Sequence, residues 1–490
     1  MQTKLAAAIF LTLASVDAGA VALNPRGTGQ ALIYPYYTVR GGQTMALAVV
    51  NSTSSGKAAK VRFLEARDGR SMFDLNVYLA PFDVWVGQLI SPDADTLSER
   101  AALFTTDNSC TVPAVPRSAA TALSFFTYAF DGSTGYPITD GGPTDVSRTA
   151  EGWIEVIEMG EVTNGSQGSL DAISLVQGVP KSCIQIQNAW ADGGYWRTDA
   201  TVDMATPAGG LYGDGIIVNV DLGTVEGYAA AALSQFYAPG SSPAQTAPGS
   251  AAPNLTTGTS TTALVFTGDT TIAMPFATAR DAVTAVFMTT RAVGEFWAQP
   301  SIGAATEWVL TAPTKPFYTD PQYLQGGNAV APFDQVYQEP AGVFDQRSAG
   351  SCSEYAAMLR GRDDPNDAPG TNFDGGPQIH TYTCNAAQVL GFRSVSAVLQ
   401  SAVYTLAPSV TLTSGWFEMD YAPAATRSSS NHRLVSTNGN VLYGEPVIGL
   451  AVTNFINGAL ANNVLSNYTM LTPLRTFLDC DRGSATQPCT

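Results

Sequence analysis

The densest run of oxygen-bearing side chains is Arg362-Asp363-Asp364-Pro365-Asn366-Asp367-Ala368-Pro369-Gly370-Thr371-Asn372-Phe373-Asp374-Gly375-Gly376. Calcium is a hard cation that collects several oxygen ligands. Asp363, Asp364, Asn366, Asp367 and Asp374 could supply them from one loop. The run is not an EF-hand, because Pro369 stands where that loop needs glycine and Gly375 where it needs glutamate. Asp, Asn, Gly and Pro are also the residues that turns favour, so a solvated turn is the competing reading. Asp140-Gly141-Gly142-Pro143-Thr144-Asp145 echoes the end of the run, Asp374-Gly375-Gly376-Pro377.

Other chemistry is sparse. The two histidines are His380, on an expected strand face, and His432, in an expected exposed loop. A Ser/His/Asp triad would need one of them, and no Gly-x-Ser-x-Gly elbow accompanies either. No P-loop and no Gly-x-Gly-x-x-Gly fingerprint is present. A glycosidase needs two acids across a sugar bond. Glu155 and Glu158 are three residues apart, which on a strand places them on opposite faces. Glu418 and Asp420 share a face but alternate with apolar residues, as a solvated strand face does. Trp190, Tyr195 and Trp196 flank Ala191-Asp192-Gly193-Gly194. Exposed rings on that loop could stack on sugars. No catalytic residue is assigned.

Cysteine use and the N-terminus speak to compartment. Cys110, Cys183, Cys352, Cys384, Cys480 and Cys489 make an even set, which in an exported chain implies disulfides. Sequential pairing, 110–183, 352–384 and 480–489, closes the shortest loops. Zinc is disfavoured, since no Cys-x-x-Cys pair exists. Lys4, the apolar run Leu5 to Leu13, and small residues at Ala18-Gly19-Ala20 and Ala20-Val21-Ala22 read as a signal peptide over 1–22. No later segment reads as a membrane span. A formal net charge of −17 argues against nucleic acid and against anionic lipid as partners.

The elements that must position these groups are mostly strands. Lys60-Val61-Arg62-Phe63 alternates, with Val61 and Phe63 inward and Lys60 and Arg62 toward solvent. Leu75, Val77 and Leu79 mark another strand, and Trp416 to Tyr421 a third. Thr44 to Val50 is apolar on both faces and fits a central strand. Ser98 to Phe104 and Ser353 to Arg362 carry N-caps and predict short helices. The first mature strand, Ala31 to Tyr34, should prefer a sheet edge because Pro35 cannot donate a ladder hydrogen bond. Pro239 to Thr262 is rich in Ser, Thr, Pro, Ala and Gly and cannot order itself independently. The expected architecture is mainly β: two β-sandwich domains, 23–238 and 263–490, with few short helices. Residues 239–262 would be a linker or long loop. Gly152-Trp153-Ile154-Glu155 recurs as Gly415-Trp416-Phe417-Glu418, and Leu211-Tyr212-Gly213-Asp214 as Leu442-Tyr443-Gly444-Glu445. The offsets, 263 and 231 residues, differ, so both duplication and chance fit.

The run Gly27-Thr28-Gly29-Gln30-Ala31-Leu32-Ile33-Tyr34-Pro35-Tyr36-Tyr37-Thr38, then Val50-Asn51, Lys60 to Phe63 and Asn76-Val77-Tyr78-Leu79-Ala80-Pro81, resembles immunoglobulin-like β-sandwich modules of exported bacterial surface proteins. Trp308-Val309-Leu310-Thr311 with Pro313-Thr314-Lys315 resembles a group of secreted proteobacterial proteins of unknown function. The resemblance implies a periplasmic, extracellular or cell-surface protein. Its expected role is structural or adhesive, acting through binding surfaces on cell-surface components, matrix or carbohydrate. A secreted polysaccharide hydrolase or carbohydrate-binding protein is the alternative. Calcium is the one cofactor considered.

Overall fold

The computed structural model describes residues 19–489 apart from 94–98, 134–139, 141, 269, 325–326, 338–349, 363–380, 408–411, 426, 428–429, 460–464 and 483–488. The fold is mainly β, with few short helices. In the first half the strands used below are β1 (Ala22–Leu23), β2 (Ala31–Thr38), β3 (Gln43–Asn51), β4 (Gly56–Glu65), β5 (Ser71–Leu79), β6 (Val84–Ile90), β7 (Ala102–Thr105), β8 (Glu151–Val162), β9 (Asp214–Asn219), β10 (Thr224–Ala229) and β11 (Ala231–Ser234). After β12 (Thr262–Phe266) the second half has β13 (Arg291–Trp297), β14 (Ala304–Thr311), β15 (Ser353–Gly361), β16 (Thr381–Thr383), β17 (Ala387–Gly391), β18 (Tyr404–Leu406), β19 (Ser414–Asp420), β20 (Ile448–Ala459), β21 (Leu465–Pro473) and β22 (Arg475–Phe477).

Each half is a pair of sheets, and the pairs repeat. In the first half one sheet runs β1-β11-β2-β8-β4-β5 and the other β10-β9-β3-β6-β7. In the second half one runs β22-β13-β19-β15-β16 and the other β21-β20-β14-β17-β18. Strands β2 to β11 therefore correspond, in sequence and in sheet order, to β13 to β22. One pairing breaks the correspondence: β17 and β18 are parallel, where β6 and β7 are antiparallel. The short sequence echoes fall at matching places. Gly152 is the second residue of β8 and Gly415 the second of β19, the central strands of their sheets. A Cβ on either glycine would lie under 2 Å from the neighbouring strand, at Leu64 O or Arg360 O. Leu211 to Asp214 runs into β9, and Leu442 to Glu445 precedes β20. The unequal offsets have a cause: between β8 and β9 the chain inserts α1 (Ser169–Ile173), α2 (Cys183–Trp190) and α3 (Tyr195–Thr198), and the next helix, α4 (Ala279–Ala285), lies beyond β12.

The halves share a core. Leu47 and Val49 of β3 join Val61 and Phe63 of β4 within the first sandwich. Trp308 and Leu310 of β14 join Leu359, Phe417 and Met419 within the second. The other face of β14 turns to the first half: Val309 belongs to the first core, and Thr311 donates to Pro35 O. Ala386 and Ala387 N–H groups donate to Arg67 and Ala66 carbonyls.

Several expectations change. Val21 is buried and Ala22 pairs with Ser234 on β11, so of the two expected cleavage sites only the one after Ala20 leaves β1 whole, and a leader over 1–22 would strip half of that strand. Ala102–Thr105 and Ser353–Gly361 are strands, not helices, because sheet pairing overrides local propensity. Strand β2 is interior, between β11 and β8. Pairing with β11 stops at Ile33, before Pro35, and a register shift opposite it on β8 accommodates the proline. Lys60 and Arg62 do point away from the sandwich interior, yet both are buried. The cover over Lys60 is the stretch 239–262, which adjoins α1–α3, tied to the sheet by Cys110–Cys183, and Tyr323 from the second half lies near Arg62. Lys60 Nζ donates to Ala247 O at 2.7 Å and Asn76 Nδ2 to Thr246 O at 2.9 Å, so that polar stretch is ordered by the sheet beneath it.

Candidate functional site

The charged groups most suggestive of chemistry are spent on structure. Glu155 and Glu158 lie on opposite faces of β8, as their spacing requires. Glu155 accepts from Arg62 Nη1 at 3.0 Å, and Arg62 Nε also reaches Asp74 at 3.0 Å. Glu158 accepts from Lys57 Nζ at 2.8 Å and from the Ala208 and Gly209 N–H groups. Both glutamates are essentially fully buried, with no cleft between them. Asp140, in the weaker acidic turn, pairs with Arg148, which also donates to both oxygens of Glu65 at 2.9 Å. Burial pushes the Glu65 carboxyl up, but Arg148 and neighbouring N–H groups outweigh it and hold it below the usual range.

His432 is buried rather than exposed. Its Nε2 lies 2.8 Å from Asp334 and 3.5 Å from Glu445. Burial disfavours the charged ring, but the two carboxylates win and push its pKa up to about 9. With the Tyr421 carbonyl against Nδ1 and the two carboxylates against Nε2, both ring nitrogens are taken, and the ring acts as a buried cation. His380 and the acidic run with Asp363, Asp364, Asn366, Asp367 and Asp374 lie outside the described residues. Among the described residues no cluster of three or more His, Cys, Asp or Glu could hold a metal. The cysteines pair 110–183, 352–384 and 480–489.

The aromatic loop expected to meet sugars faces inward. Trp196 stacks on Tyr78 with ring centroids 5.0 Å apart, and Trp190 Nε1 donates to Tyr78 Oη at 2.6 Å. These rings anchor the helical cover. Spacing could not reveal this, because the loop's polar tip, Asp192-Gly193-Gly194, is the part that meets solvent.

A different pair of rings reaches the surface, Trp416 exposed and Trp297 half-buried beside Phe455. On the outer face of the second half, Trp416 of β19 stands opposite Glu295 of β13 on one side and Arg360 of β15 on the other. One step along, Trp297 stands opposite Ser414. With Arg362 these residues line an open depression of 690 Å³. The face is flat because outward residues of three antiparallel strands stand in register, and Gly415 lets β15 approach closely. Trp416 is 37% exposed. Its counterpart in the first half, Trp153, is fully buried. A Cβ on Gly69 would meet both the Trp153 ring and Pro316, so α5 (Pro316–Thr319), from the β14–β15 connection, covers that tryptophan. The sequence contained Trp416 but only as part of an alternating strand. What distinguishes it is that no described residue covers the repeated face as α5 covers Trp153.

No family model, no curated protein and no solved structure matches the chain.

Proposed function

We propose that this is an exported adhesive protein that binds saccharide on the Trp416–Trp297 face. The observation that carries the reading is the contrast between equivalent tryptophans, one sealed by the chain and one presented beside a second tryptophan. Indole faces stack on the C–H faces of sugars, while Glu295, Arg360, Arg362 and Ser414 offer donors and acceptors to hydroxyl groups. Self-association is less well served. The cover over Trp153 comes from the long connection between β14 and β15, whereas the matching connection between β3 and β4 is only residues 52–55. The chain therefore has no second α5 to offer. Export is supported by three disulfides and by the leader-like first residues. No helix among the described residues is long and apolar enough to cross a membrane.

Affinity electrophoresis through gels containing different neutral and acidic polysaccharides tests the reading. At least one polysaccharide should retard the protein, and Trp416→Ala and Trp297→Ala should each remove the retardation while leaving the circular dichroism spectrum unchanged. Retardation by none, or retardation indifferent to both substitutions, refutes it.

A further inference from the structure

The repeat identifies a second, separate binding site by what one half has and the other lacks. In the first half β11 carries β1 on its outer side, with Ala22 opposite Ser234 and Leu23 opposite Leu233. The segment continues as Val21, which is fully buried and exchanges hydrogen bonds with Thr262 and Leu264 of β12. In the second half the counterpart of β11 is β22. Among the described strands β22 pairs with β13 alone and ends its sheet. All three of its residues are exposed.

Beside this open edge runs a groove of 900 Å³ between the halves. Leu23, Phe266 and Phe477 line it and are 43%, 64% and 45% exposed. Among the described residues the only charged ones on its walls are Arg291 and Asp479. In a chain of net charge −17 that is a neutral, apolar strip. An open edge offers unpaired N–H and C=O groups, and an added strand satisfies them while alternate side chains enter apolar pockets.

We infer that this groove accepts an extended, uncharged apolar segment of a partner polypeptide, which adds to β22 as β1 adds to β11. The internal template fixes the occupant's chemistry: small and branched apolar residues in extended form, as in Ala20-Val21-Ala22-Leu23. A second copy is not the donor, because its own β1 is held on β11, and a tethered strand outcompetes a free one. The inference is independent of the saccharide reading, since it uses another face and another ligand class.

The probe is a hexapeptide with the sequence of residues 19–24, and the readout is amide hydrogen exchange of the full chain. Saturating peptide should slow exchange at residues 475–478 by about tenfold or more, the protection that a newly paired edge gives. Phe477→Asp and Phe266→Asp should each abolish the slowing, as should replacing the peptide's valine and leucine by aspartate. Both substituted side chains are exposed, and if one variant fails to fold the other decides. Three results would overturn the inference. One is no slowing at 475–478. Another is slowing at 231–234 instead, meaning that the peptide displaces β1. The third is a concentration-dependent dimer that Phe477→Asp dissociates, which would give the groove to a second copy.

Discussion

Replacing Arg70 by methionine tests whether the two halves are one energetic unit. Arg70 immediately precedes β5 and is 2% exposed. Its Nε and Nη2 donate to the two oxygens of Asp320, both at 2.8 Å, and its Nη1 donates to Ala129 O at 2.8 Å. Asp320 closes α5 in the second half and is itself fully buried. Asp68 and Asp140 lie 3.7 and 3.8 Å from the same guanidinium. Methionine keeps most of the side-chain volume but leaves a buried carboxylate beside two others with one cation gone. Breaking a buried pair from one side costs about 3–5 kcal/mol, whereas replacing both partners by apolar groups is often close to neutral. Arg70→Met should therefore lose that amount, and Arg70→Met with Asp320→Leu should recover most of it. Urea unfolding followed by tryptophan fluorescence reads both, with Trp153 reporting the first half and Trp308 the second. Because the first core includes residues of both halves, the wild type should unfold in one transition. Two wild-type transitions, or single-variant losses that simply add in the double variant, would refute the coupling.

The equivalent tryptophans should respond oppositely to truncation. Trp153→Ala should cost about 3–5 kcal/mol of stability in urea unfolding, as large buried aromatics do, while Trp416→Ala should cost well under half of that. His432 should make stability fall in mild alkali. Its folded pKa of about 9 lies above its unfolded value, so its contribution is complete below about pH 6.5 and is lost as pH rises through 9. His432→Gln should flatten that limb of a melting-temperature profile. Glu226, buried on β10, should act at lower pH: burial raises its pKa to about 7, so stability falls between about pH 4.5 and 7, and Glu226→Gln should remove the slope. Thiol titration in denaturant without reductant should read near zero, since all six cysteines are paired.

The sequence carried the strand-rich class because half-buried strands alternate, as Trp416 to Tyr421 does. It misled wherever a strand is buried on both faces. Lys60 and Arg62 on β4 look like a solvated face, yet each is matched by a carboxylate or carbonyl from a distant segment, which no local window contains. Ser353 to Arg362 reads as a capped helix because Ala, Met, Leu and Arg favour helices, and only its pairing with β16 and β19 makes it a strand. The Trp416 face was illegible for a related reason. An alternating strand shows which residues point outward, but not whether the rest of the chain folds over them.

The helical insertion between β8 and β9 has a consequence for how the molecule can change over time. It sits in only one of two otherwise matching halves, and with α5 it covers the outer face of that half's β8-β4-β5 sheet, while the β10-β9-β3-β6-β7 sheet keeps an alternately exposed outer face. Substitutions there meet packed neighbours and are penalised by lost stability. The other half keeps its outer face free of such constraint, so residues around Trp416 can vary with little effect on folding. The chain has in effect divided its labour between a conservative mount and an adaptable display surface, and variation tuned to new ligands should accumulate on the second.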